Sequence, residues 1–335
     1  MLGPFVMPGS VLITTVPFGA RDRAPLDLLE RRGIAYEVNP YGRRIRPEEL
    51  VEHLRDKAVL IAGTEPITAG VIAGAPGLRL IARVGIGLDS VDLTAARRRG
   101  VIVTYTPDGP SEAVSEMTIG LMLSLLRGIS RADRDMHAGA WDRRMGRRLA
   151  RVTVGVIGAG RVGARVIGHL LGGFPGVRIL AHDIAAPARA GDADVTWTDT
   201  ATIFREADIV TLHVPATPRT QGLIGQVELA AMKSGAFVIN TSRGEVVDEQ
   251  ALADALREGR IAGAAVDVFE QEPYHGALAE LDNCLLTCHM GSMSEDCRAR
   301  MEYDAAAEAV AFVEGRPPLL PVPDEEYAVA AEAGR

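Results

Sequence analysis

The chain contains little of several residue types, and each shortage excludes a class of protein. Only three cysteines occur in 335 residues, which excludes a small secreted scaffold held by disulfides. Aromatic residues make up 4% of the chain, and no apolar run reaches the roughly 18 residues of a membrane-spanning helix. The formal net charge of −8 argues against a nucleic-acid partner. We therefore expect a cytoplasmic protein with neither a membrane nor a nucleic-acid partner.

The three cysteines, Cys284, Cys288 and Cys297, lie close together beside His289. Their spacing contains no C-x-x-C pair, and the chain has no second cluster of ligand residues. We therefore predict no metal site, and interpret the cysteines as small apolar residues in a reducing compartment.

A glycine-rich turn follows a short apolar strand near the middle of the chain. Gly158, Gly160 and Gly163 have the spacing G-x-G-x-x-G and precede a segment with helical apolar spacing. Such glycines allow a tight turn, close approach of the backbone to a pyrophosphate and close helix packing. Asp183 lies 20 residues beyond Gly163, where an acid binds the ribose hydroxyls of NAD. The pattern predicts a dinucleotide site that prefers NAD to NADP, with Arg189 as a possible exception; a plain structural turn is the alternative.

The order of the predicted strands and helices indicates two domains. Residues 1–106 alternate short strands and helices, which predicts a parallel, doubly wound sheet. A second set of six strands begins with Val152–Ile157, and a helix over Glu295–Val313 follows them. We therefore predict an α/β fold in which a Rossmann domain is inserted into a flavodoxin-like domain. The boundaries would be 1–106 with 291–335 for the substrate-binding domain and 107–290 for the NAD-binding domain.

Two further segments have distinct compositions. Residues 112–137 have continuous helical apolar periodicity, which predicts one long helix, and a basic stretch follows it. Apolar residues occupy much of the circumference of this helix, so we expect a homodimer formed through residues 112–151. At the other end, a proline-rich stretch leads to an acidic, alanine-rich tail that we expect to be mobile.

Three polar residues follow three predicted strands of the second domain. Arg243, Glu272 and His289 should meet at one sheet edge, because ligands bind at the carboxyl ends of parallel strands. A guanidinium can hold a carboxylate and the adjacent carbonyl of a 2-oxo acid together. A histidine can supply the proton that the carbonyl oxygen needs after hydride transfer, and a carboxylate can orient the imidazole.

These motifs together resemble the D-isomer-specific 2-hydroxyacid dehydrogenases, within them the short members similar to phosphoglycerate dehydrogenase. The resemblance covers about residues 55–315. It includes the run Ala82–Asp89, the segment from Thr106-Pro107 to Glu116, the glycine turn, His213-Val214-Pro215 and the blocks around the three polar residues.

The resemblance implies an NAD-dependent oxidoreductase acting on a small 2-oxo or 2-hydroxy acid. Arg243 would bind and polarise the substrate, and His289 with Glu272 would form the acid/base pair. The amides of Gly85, Ile86 and Gly87 would hold the substrate carboxylate. Arg83 precedes this turn, and from that position we expect it to lie where a substrate tail would emerge. The residues implied on the cofactor side are Gly158, Gly160, Arg161, Val162, Gly163, Asp183, His213, Val214, Thr241, Ser242, Asp267 and Gly291.

The resemblance has departures and leaves alternatives open. Cys288 stands where the family usually has proline, and Met290 is larger than some counterparts. A relative that senses nucleotides as a corepressor is the main alternative, although it would not need the intact trio.

The substrate itself stays open between a phosphorylated or phosphonate-bearing acid and a plain hydroxy acid. Arg83 and the arginines at 143, 144, 147 and 148 favour a second anionic group. Ala62 argues against it, because some relatives carry arginine near that place.

Overall fold

The computed structural model describes residues 10–184 and 194–332, and the chain divides into two compact units. Unit 1 comprises Met1–Pro110 and Met293–Arg335, and unit 2 comprises Ser111–Ser292. Unit 1 is thus discontinuous in sequence, and unit 2 is inserted into it.

Unit 1 contains a five-stranded sheet in which every strand pair is parallel. Its strands are β1 (Ser10–Ile13), β2 (Tyr36–Val38), β3 (Lys57–Ala62), β4 (Leu80–Arg83) and β5 (Ile102–Thr104), and their order is β2-β1-β3-β4-β5. This is the flavodoxin-like order that the sequence predicts. The central strand β3 is apolar because helices cover both faces of such a sheet.

The helices of unit 1 follow the predicted alternation with the strands. They are α1 (Ala24–Arg31), α2 (Pro47–His53), α3 (Ala69–Gly74), α4 (Leu93–Arg98), α11 (Glu295–Val313) and α12 (Asp324–Glu332). Short polar side chains cap two of them, since Thr68 accepts from the Val71 N–H and Asp92 accepts from the Ala95 N–H.

The expectation of a mobile C-terminal tail is wrong for the described residues. Pro321 bridges Thr104 antiparallel to the edge of β5, and the Val322 N–H donates to the Val103 carbonyl over 3.1 Å. Helix α12 then packs near α4, where the Arg97 guanidinium lies 3.8 Å from the centre of the Tyr327 ring. The acidic, alanine-rich composition suggested solvation, but Val322 and Tyr327 attach this segment to the core of unit 1.

Unit 2 contains a seven-stranded parallel sheet, one strand more than predicted. Its strands are β6 (Thr153–Ile157), β7 (Arg178–His182), β8 (Val195–Trp197), β9 (Ile209–Leu212), β10 (Phe237–Asn240), β11 (Gly263–Val266) and β12 (Cys284–Leu286). Their order, β12-β11-β10-β9-β6-β7-β8, is the Rossmann order extended by one strand. The strand that the sequence analysis missed, β8, has three residues at the sheet edge. The order reverses between β6 and β9, and this switch point is where such sheets bind ligands.

The long helix predicted over 112–137 is two helices. Helix α5 (Gly109–Arg127) ends just before Gly128, which has φ +61°. Helix α6 (Ile129–His137) follows, and the two helices are bent by 63° relative to each other. Glycine adopts this left-handed backbone without steric cost, whereas the periodicity on both sides continues across it. In the described part of the chain no single helix is long and apolar enough to cross a membrane. The bent pair α5–α6 meets that test jointly, by length and composition alone.

The remaining helices of unit 2 cover its sheet. They are α7 (Arg161–Gly173), α8 (Thr200–Glu206), α9 (Gln226–Ala231) and α10 (Glu249–Arg257). One face of α5 is buried with them, since Leu121, Met122 and Leu126 are at most 6% exposed.

Candidate active site

The glycine turn connects β6 to α7. A side chain would clash with the protein at Gly158 and Gly163 but not at Gly160. Gly158 has φ +89°, and a Cβ there would lie 2.4 Å from the His213 carbonyl oxygen. A Cβ on Gly163 would lie 1.9 Å from the Gly158 carbonyl oxygen, so α7 reaches the turn only because that side chain is absent. Gly160, at the N-cap of α7, has no atom within 4 Å of its Cβ position. The turn therefore leaves open backbone in front of a helix N-terminus, which fits a pyrophosphate.

Asp183 follows β7, the strand next to the glycine turn. One of its carboxylate oxygens accepts the Ala159 N–H over 2.7 Å, which fixes the acid beside the turn. The expected discrimination against NADP rests on this acid and on Arg189, and Arg189 lies outside the described residues.

His213 follows β9 on the other side of the switch point. Its ring hydrogen-bonds Thr211 over 3.0 Å, and its N–H donates to Ile157. Desolvation lowers the pKa of His213 to about 3, so the ring is neutral near pH 7. The residue supports the glycine turn through its backbone and Cβ.

Arg243, Glu272 and His289 come after β10, β11 and β12, which are three adjacent strands. The His289 ring nitrogen Nδ1 lies 2.9 Å from both carboxylate oxygens of Glu272, so this pair forms as the sequence predicts. Both side chains are partly exposed, at 37% for His289 and 28% for Glu272. With Nδ1 directed to the carboxylate, the other ring nitrogen, Nε2, is the one left for a further partner.

Asp267 organises the loop that carries His289, a role that sequence reasoning missed. It is 1% exposed, and its two carboxylate oxygens accept from the Thr287 hydroxyl, the Met290 N–H and the Gly291 N–H over 2.6, 2.9 and 2.9 Å. Its own carbonyl accepts the His289 N–H over 2.7 Å. His289 has φ +51°, a backbone conformation that is unfavourable for a residue with a side chain. The Asp267 contacts hold that backbone in place.

Arg243 is positioned by the residue that ends β10. Asn240 accepts the Ser242 N–H over 3.0 Å and donates to the Arg243 carbonyl over 2.8 Å. Asparagine after a strand is a known turn-forming residue, so this signal was present in the sequence. A Cβ on Gly244 would lie 2.0 Å from the carbonyl carbon of Phe269, so only glycine allows the Arg243 segment to approach the next strand's loop this closely.

Thr241 and Gly291 connect the loops that follow β10 and β12 to helix α5. The Thr241 and Thr118 hydroxyls lie 3.1 Å apart, and both residues are buried. A Cβ on Gly291 would lie 3.2 Å from Val114 and 3.1 Å from Asp267. The predicted cofactor-side residues thus include several that shape the edge through packing.

The predicted substrate turn lies in unit 1, after β4. Gly85 has φ +140°, and its N–H donates to the Thr106 hydroxyl over 2.7 Å. The Gly85 amide is therefore already bonded within the protein. If this turn binds a substrate carboxylate, the donors would be the amides of Ile86 and Gly87. Arg83 is 6% exposed and its guanidinium hydrogen-bonds the Val84 carbonyl. The guanidinium also covers Gly85, whose Cβ position is 2.8 Å from it.

The arginines after α6 do not all face solvent as free cations. Arg144 pairs with Asp135 and Asp142 over 3.0 and 2.7 Å. Arg147 pairs with Asp208 over 3.1 Å and donates to the Gly235 carbonyl over 2.6 Å. Two of the five arginines that favoured an anionic substrate, Arg144 and Arg147, therefore serve local pairing.

The cysteines differ in their surroundings. Burial raises the pKa of Cys284 to about 12 and that of Cys297 to about 11, so both behave as thiols in the core. Cys288 is exposed next to His289. Within the described ranges, no three His, Cys, Asp or Glu side chains lie close enough to hold a metal ion.

The geometry of unit 2 agrees with comparisons to known proteins. Residues 119–291 match the family model described as "D-isomer specific 2-hydroxyacid dehydrogenase, NAD binding domain". The chain belongs to the D-isomer specific 2-hydroxyacid dehydrogenase family. It is accordingly an NAD-dependent oxidoreductase, with its NAD-binding domain in unit 2.

Individual relatives of this family support the assignment. The chain is 40% identical over 288 residues to a glyoxylate reductase of Thermofilum pendens, which covers 82% of this chain and 84% of the relative. It is 40% identical over 258 residues to a D-3-phosphoglycerate dehydrogenase of Methanocaldococcus jannaschii, covering 75% of this chain but 49% of that relative. The chain therefore spans about half of that dehydrogenase. The crystal structure of the TT0316 protein of Thermus thermophilus superimposes with a TM-score of 0.86 at 35% identity, covering 94% of this chain and 100% of that one.

Proposed function

We propose that the protein reduces small 2-oxo acids to D-2-hydroxy acids with NADH, and that Arg243, Glu272 and His289 carry the reaction. The observation that supports this most is the His289–Glu272 pair, with both carboxylate oxygens 2.9 Å from Nδ1. Such a pair keeps a proton on Nδ1 and stabilises the imidazolium, which leaves Nε2 to exchange the reacting proton.

The three side chains have complementary roles. Arg243 holds the substrate carboxylate and polarises its carbonyl, because a guanidinium offers several donors in a fixed plane. His289 donates the Nε2 proton to the carbonyl oxygen as that oxygen gains charge, and Glu272 balances the positive ring before the transfer. In the oxidative direction His289 takes the proton back. The bound cofactor would supply the hydride as NADH and accept it as NAD⁺.

Residues of unit 2 would hold the cofactor in the following way. The open Cβ position of Gly160 and the N-terminus of α7 would receive the pyrophosphate, with Arg161, Val162 and Gly163 forming the first turn. Asp183 would bind the ribose hydroxyls and disfavour the 2′-phosphate of NADP. His213, Val214, Thr241, Ser242 and Asp267 would line the nicotinamide side.

We propose that the substrates are short acids without a second anionic group, of the glyoxylate or hydroxypyruvate type. Arg144 and Arg147 pair with acids of unit 2, which removes much of the basis for a dianionic substrate. The glyoxylate reductase relative is also matched along most of its length, whereas the phosphoglycerate dehydrogenase relative is matched over half. Intact catalytic side chains give no support to the nucleotide-sensing alternative.

A substrate screen tests this proposal. NADH oxidation would be followed with glyoxylate, hydroxypyruvate, pyruvate, 3-phosphohydroxypyruvate and phosphonopyruvate, and repeated with NADPH. We expect turnover with the first two and NADH ahead of NADPH. Absence of NADH oxidation with every acid would contradict the proposal, and a higher kcat/KM with NADPH would contradict the cofactor assignment.

We also propose a homodimer formed through residues 112–151. After the bend at Gly128, four large apolar side chains are exposed: Ile129 at 54%, Met136 at 53%, Trp141 at 79% and Met145 at 102%. A partner that covers this surface would remove apolar area from water. Light scattering at micromolar concentration should give twice the chain mass, and Trp141→Ser with Met145→Ser should give a monomer.

We propose the cytoplasm as the location. Cys284, Cys288 and Cys297 are all free thiols, as expected in a reducing compartment. Cell fractionation would test this.

A further inference from the structure

Glu65 is a buried carboxylate at the end of β3 that the proposed reaction does not use. It is 2% exposed. Its Oε1 accepts the Gly63 N–H over 3.1 Å and hydrogen-bonds the Thr14 hydroxyl, which follows β1. Burial of a charged group is costly unless it is well bonded, so these two contacts fix both the place and the direction of the carboxylate.

The second oxygen of Glu65 is packed closely against Gly63. A Cβ on Gly63 would lie 2.9 Å from Glu65 Oε2 and 2.9 Å from Thr15 Oγ1. Thr15 is 2% exposed, and its buried hydroxyl has no hydrogen-bond partner among the described residues. Two polar oxygens therefore lie too close to Gly63 to leave room for a side chain there, and the Thr15 hydroxyl has unused bonding capacity.

This carboxylate follows the carboxyl end of β3, and the predicted substrate turn lies at the same end of the sheet. Strand β3 lies between β1 and β4 in the sheet, and the Val84 N–H donates to the Ala62 carbonyl over 2.9 Å. The loop of Glu65 and the turn of Gly85–Gly87 thus follow neighbouring parallel strands, whose separation is about 4.8 Å. Both lie within unit 1, at the end where ligands bind in such sheets.

The two loops that hold Glu65 contribute no cation of their own. The Arg298 guanidinium of α11 donates to the Pro17 carbonyl over 2.7 Å, but it pairs with Glu302 over 2.7 Å. Residues 10–20 and 62–78 contain no Lys, Arg or His, and Glu65 is their only acid. The cation at the end of β4 is Arg83, whose guanidinium bonds the Val84 carbonyl and covers Gly85. A buried charge is weakly screened by salt and acts over several ångströms.

We propose that Glu65 sets the charge selectivity of this enzyme, admitting 2-oxo acids with an uncharged tail and rejecting those with a phosphate or phosphonate. The inference rests on the proposed function. A substrate carboxylate at Ile86–Gly87 meets Arg83 on β4, whereas a second anion directed toward β3 meets the Glu65 carboxylate. Glu65 acts through its charge and not through contact with the reacting atoms.

The test compares hydroxypyruvate with 3-phosphohydroxypyruvate in wild type, Glu65→Gln and Glu52→Gln. Glutamine keeps the size and one acceptor oxygen of Glu65 but removes its charge. Glu52 is an exposed acid on α2, so its variant makes the same change in net charge at another place in unit 1. We expect wild type to prefer hydroxypyruvate by about a hundredfold or more in kcat/KM, and Glu65→Gln to reduce that ratio about tenfold, mainly through KM for the phosphorylated acid. Glu52→Gln should leave the ratio unchanged.

A second variant keeps the inference testable if Glu65→Gln does not fold. Thr64→Lys places a cation on the exposed neighbour of Glu65 and should raise kcat/KM for 3-phosphohydroxypyruvate about tenfold. A wild type that prefers the phosphorylated acid, or folded variants with an unchanged ratio, would overturn the role of Glu65. Either outcome leaves NADH-dependent reduction standing, whereas an enzyme inactive with every 2-oxo acid would remove the proposed function itself.

Discussion

The two sheets of this protein use a buried carboxylate at their carboxyl edges in opposite ways. In unit 2, Asp267 receives three donors from one loop and so holds the unfavourable backbone of His289. In unit 1, Glu65 receives two donors at one oxygen, and its other oxygen lies against Gly63. The first acid stabilises a loop, and the second, in our proposal, acts on a ligand through its charge. Substitutions in unit 2 should therefore change mainly kcat, and substitutions in unit 1 should change mainly KM for the acid.

The largest effect is expected at His289. His289→Ala removes the proton donor but not the cofactor site, so kcat should fall by roughly 10²–10⁴ while NADH still binds. Steady-state kinetics with NADH fluorescence titration would measure both quantities. His275→Ala is the matched control, because His275 is an exposed histidine near Glu272 in sequence. A kcat within a few-fold of wild type would remove His289 from the proton transfer.

The next largest effect is expected at Arg243. Arg243→Lys keeps the charge but loses the planar set of donors, so kcat/KM for the 2-oxo acid should fall by about 10² or more. The exposed Arg257→Lys on α10 should have little effect. If Arg243→Lys kept most of the kcat/KM, the bidentate role of the guanidinium would be wrong.

Asp267→Asn should have an intermediate effect. Its side-chain amide can accept at one atom only, so at least one of the Thr287, Met290 and Gly291 donors loses its partner. We expect kcat to fall by about tenfold to a hundredfold, since an unmade buried hydrogen bond costs about 1–3 kcal/mol. Thr287→Val removes one donor only and should be milder. Equal kinetics for Asp267→Asn and wild type would show that the loop is held by other contacts.

The smallest effect is expected at Thr106, in unit 1. Thr106→Val removes the acceptor of the Gly85 N–H, so the predicted substrate turn loosens, and KM for the acid should rise by about threefold to tenfold at nearly constant kcat. Thr104→Val is a close control, because the buried Thr104 hydroxyl has no hydrogen-bond partner in the described chain. A fall in kcat without a change in KM would contradict the proposed division between the units.

The fold was largely predictable because strand and glycine signals are local. The alternation of apolar runs in residues 10–106 predicted all five strands of unit 1, and the pattern from residue 295 predicted α11 with its observed ends. Strand β8 was missed because three residues at a sheet edge carry no alternating pattern. The bend at Gly128 was missed because the apolar period continues on both sides of it, and only the left-handed φ of one glycine separates the helices.

The candidate site was predictable to the level of residue type and strand end. Motif spacing placed Arg243, Glu272 and His289 on adjacent strands, and the His289–Glu272 contact is present. The hydrogen bonds of Asp267 and the burial of Glu65 could not be predicted from the sequence, because both depend on which backbone amides the loops bring near these side chains. The pairing of Arg147 likewise depends on Asp208, an acid distant in the sequence, whereas Arg144 pairs with the nearby Asp135 and Asp142.

The antiparallel pairing of residues 320–322 with β5 has a consequence for how this protein behaves in concentrated solution. An open strand at the margin of a sheet presents unsatisfied N–H and C=O groups, which can recruit a strand from another molecule. Here the Tyr105 N–H donates to the Leu320 carbonyl and the Val322 N–H donates to the Val103 carbonyl, so the chain occupies that margin itself. Glu308 holds the returning segment by accepting the Leu319 and Leu320 N–H groups. The C-terminal segment thus protects unit 1 against intermolecular strand addition and aggregation.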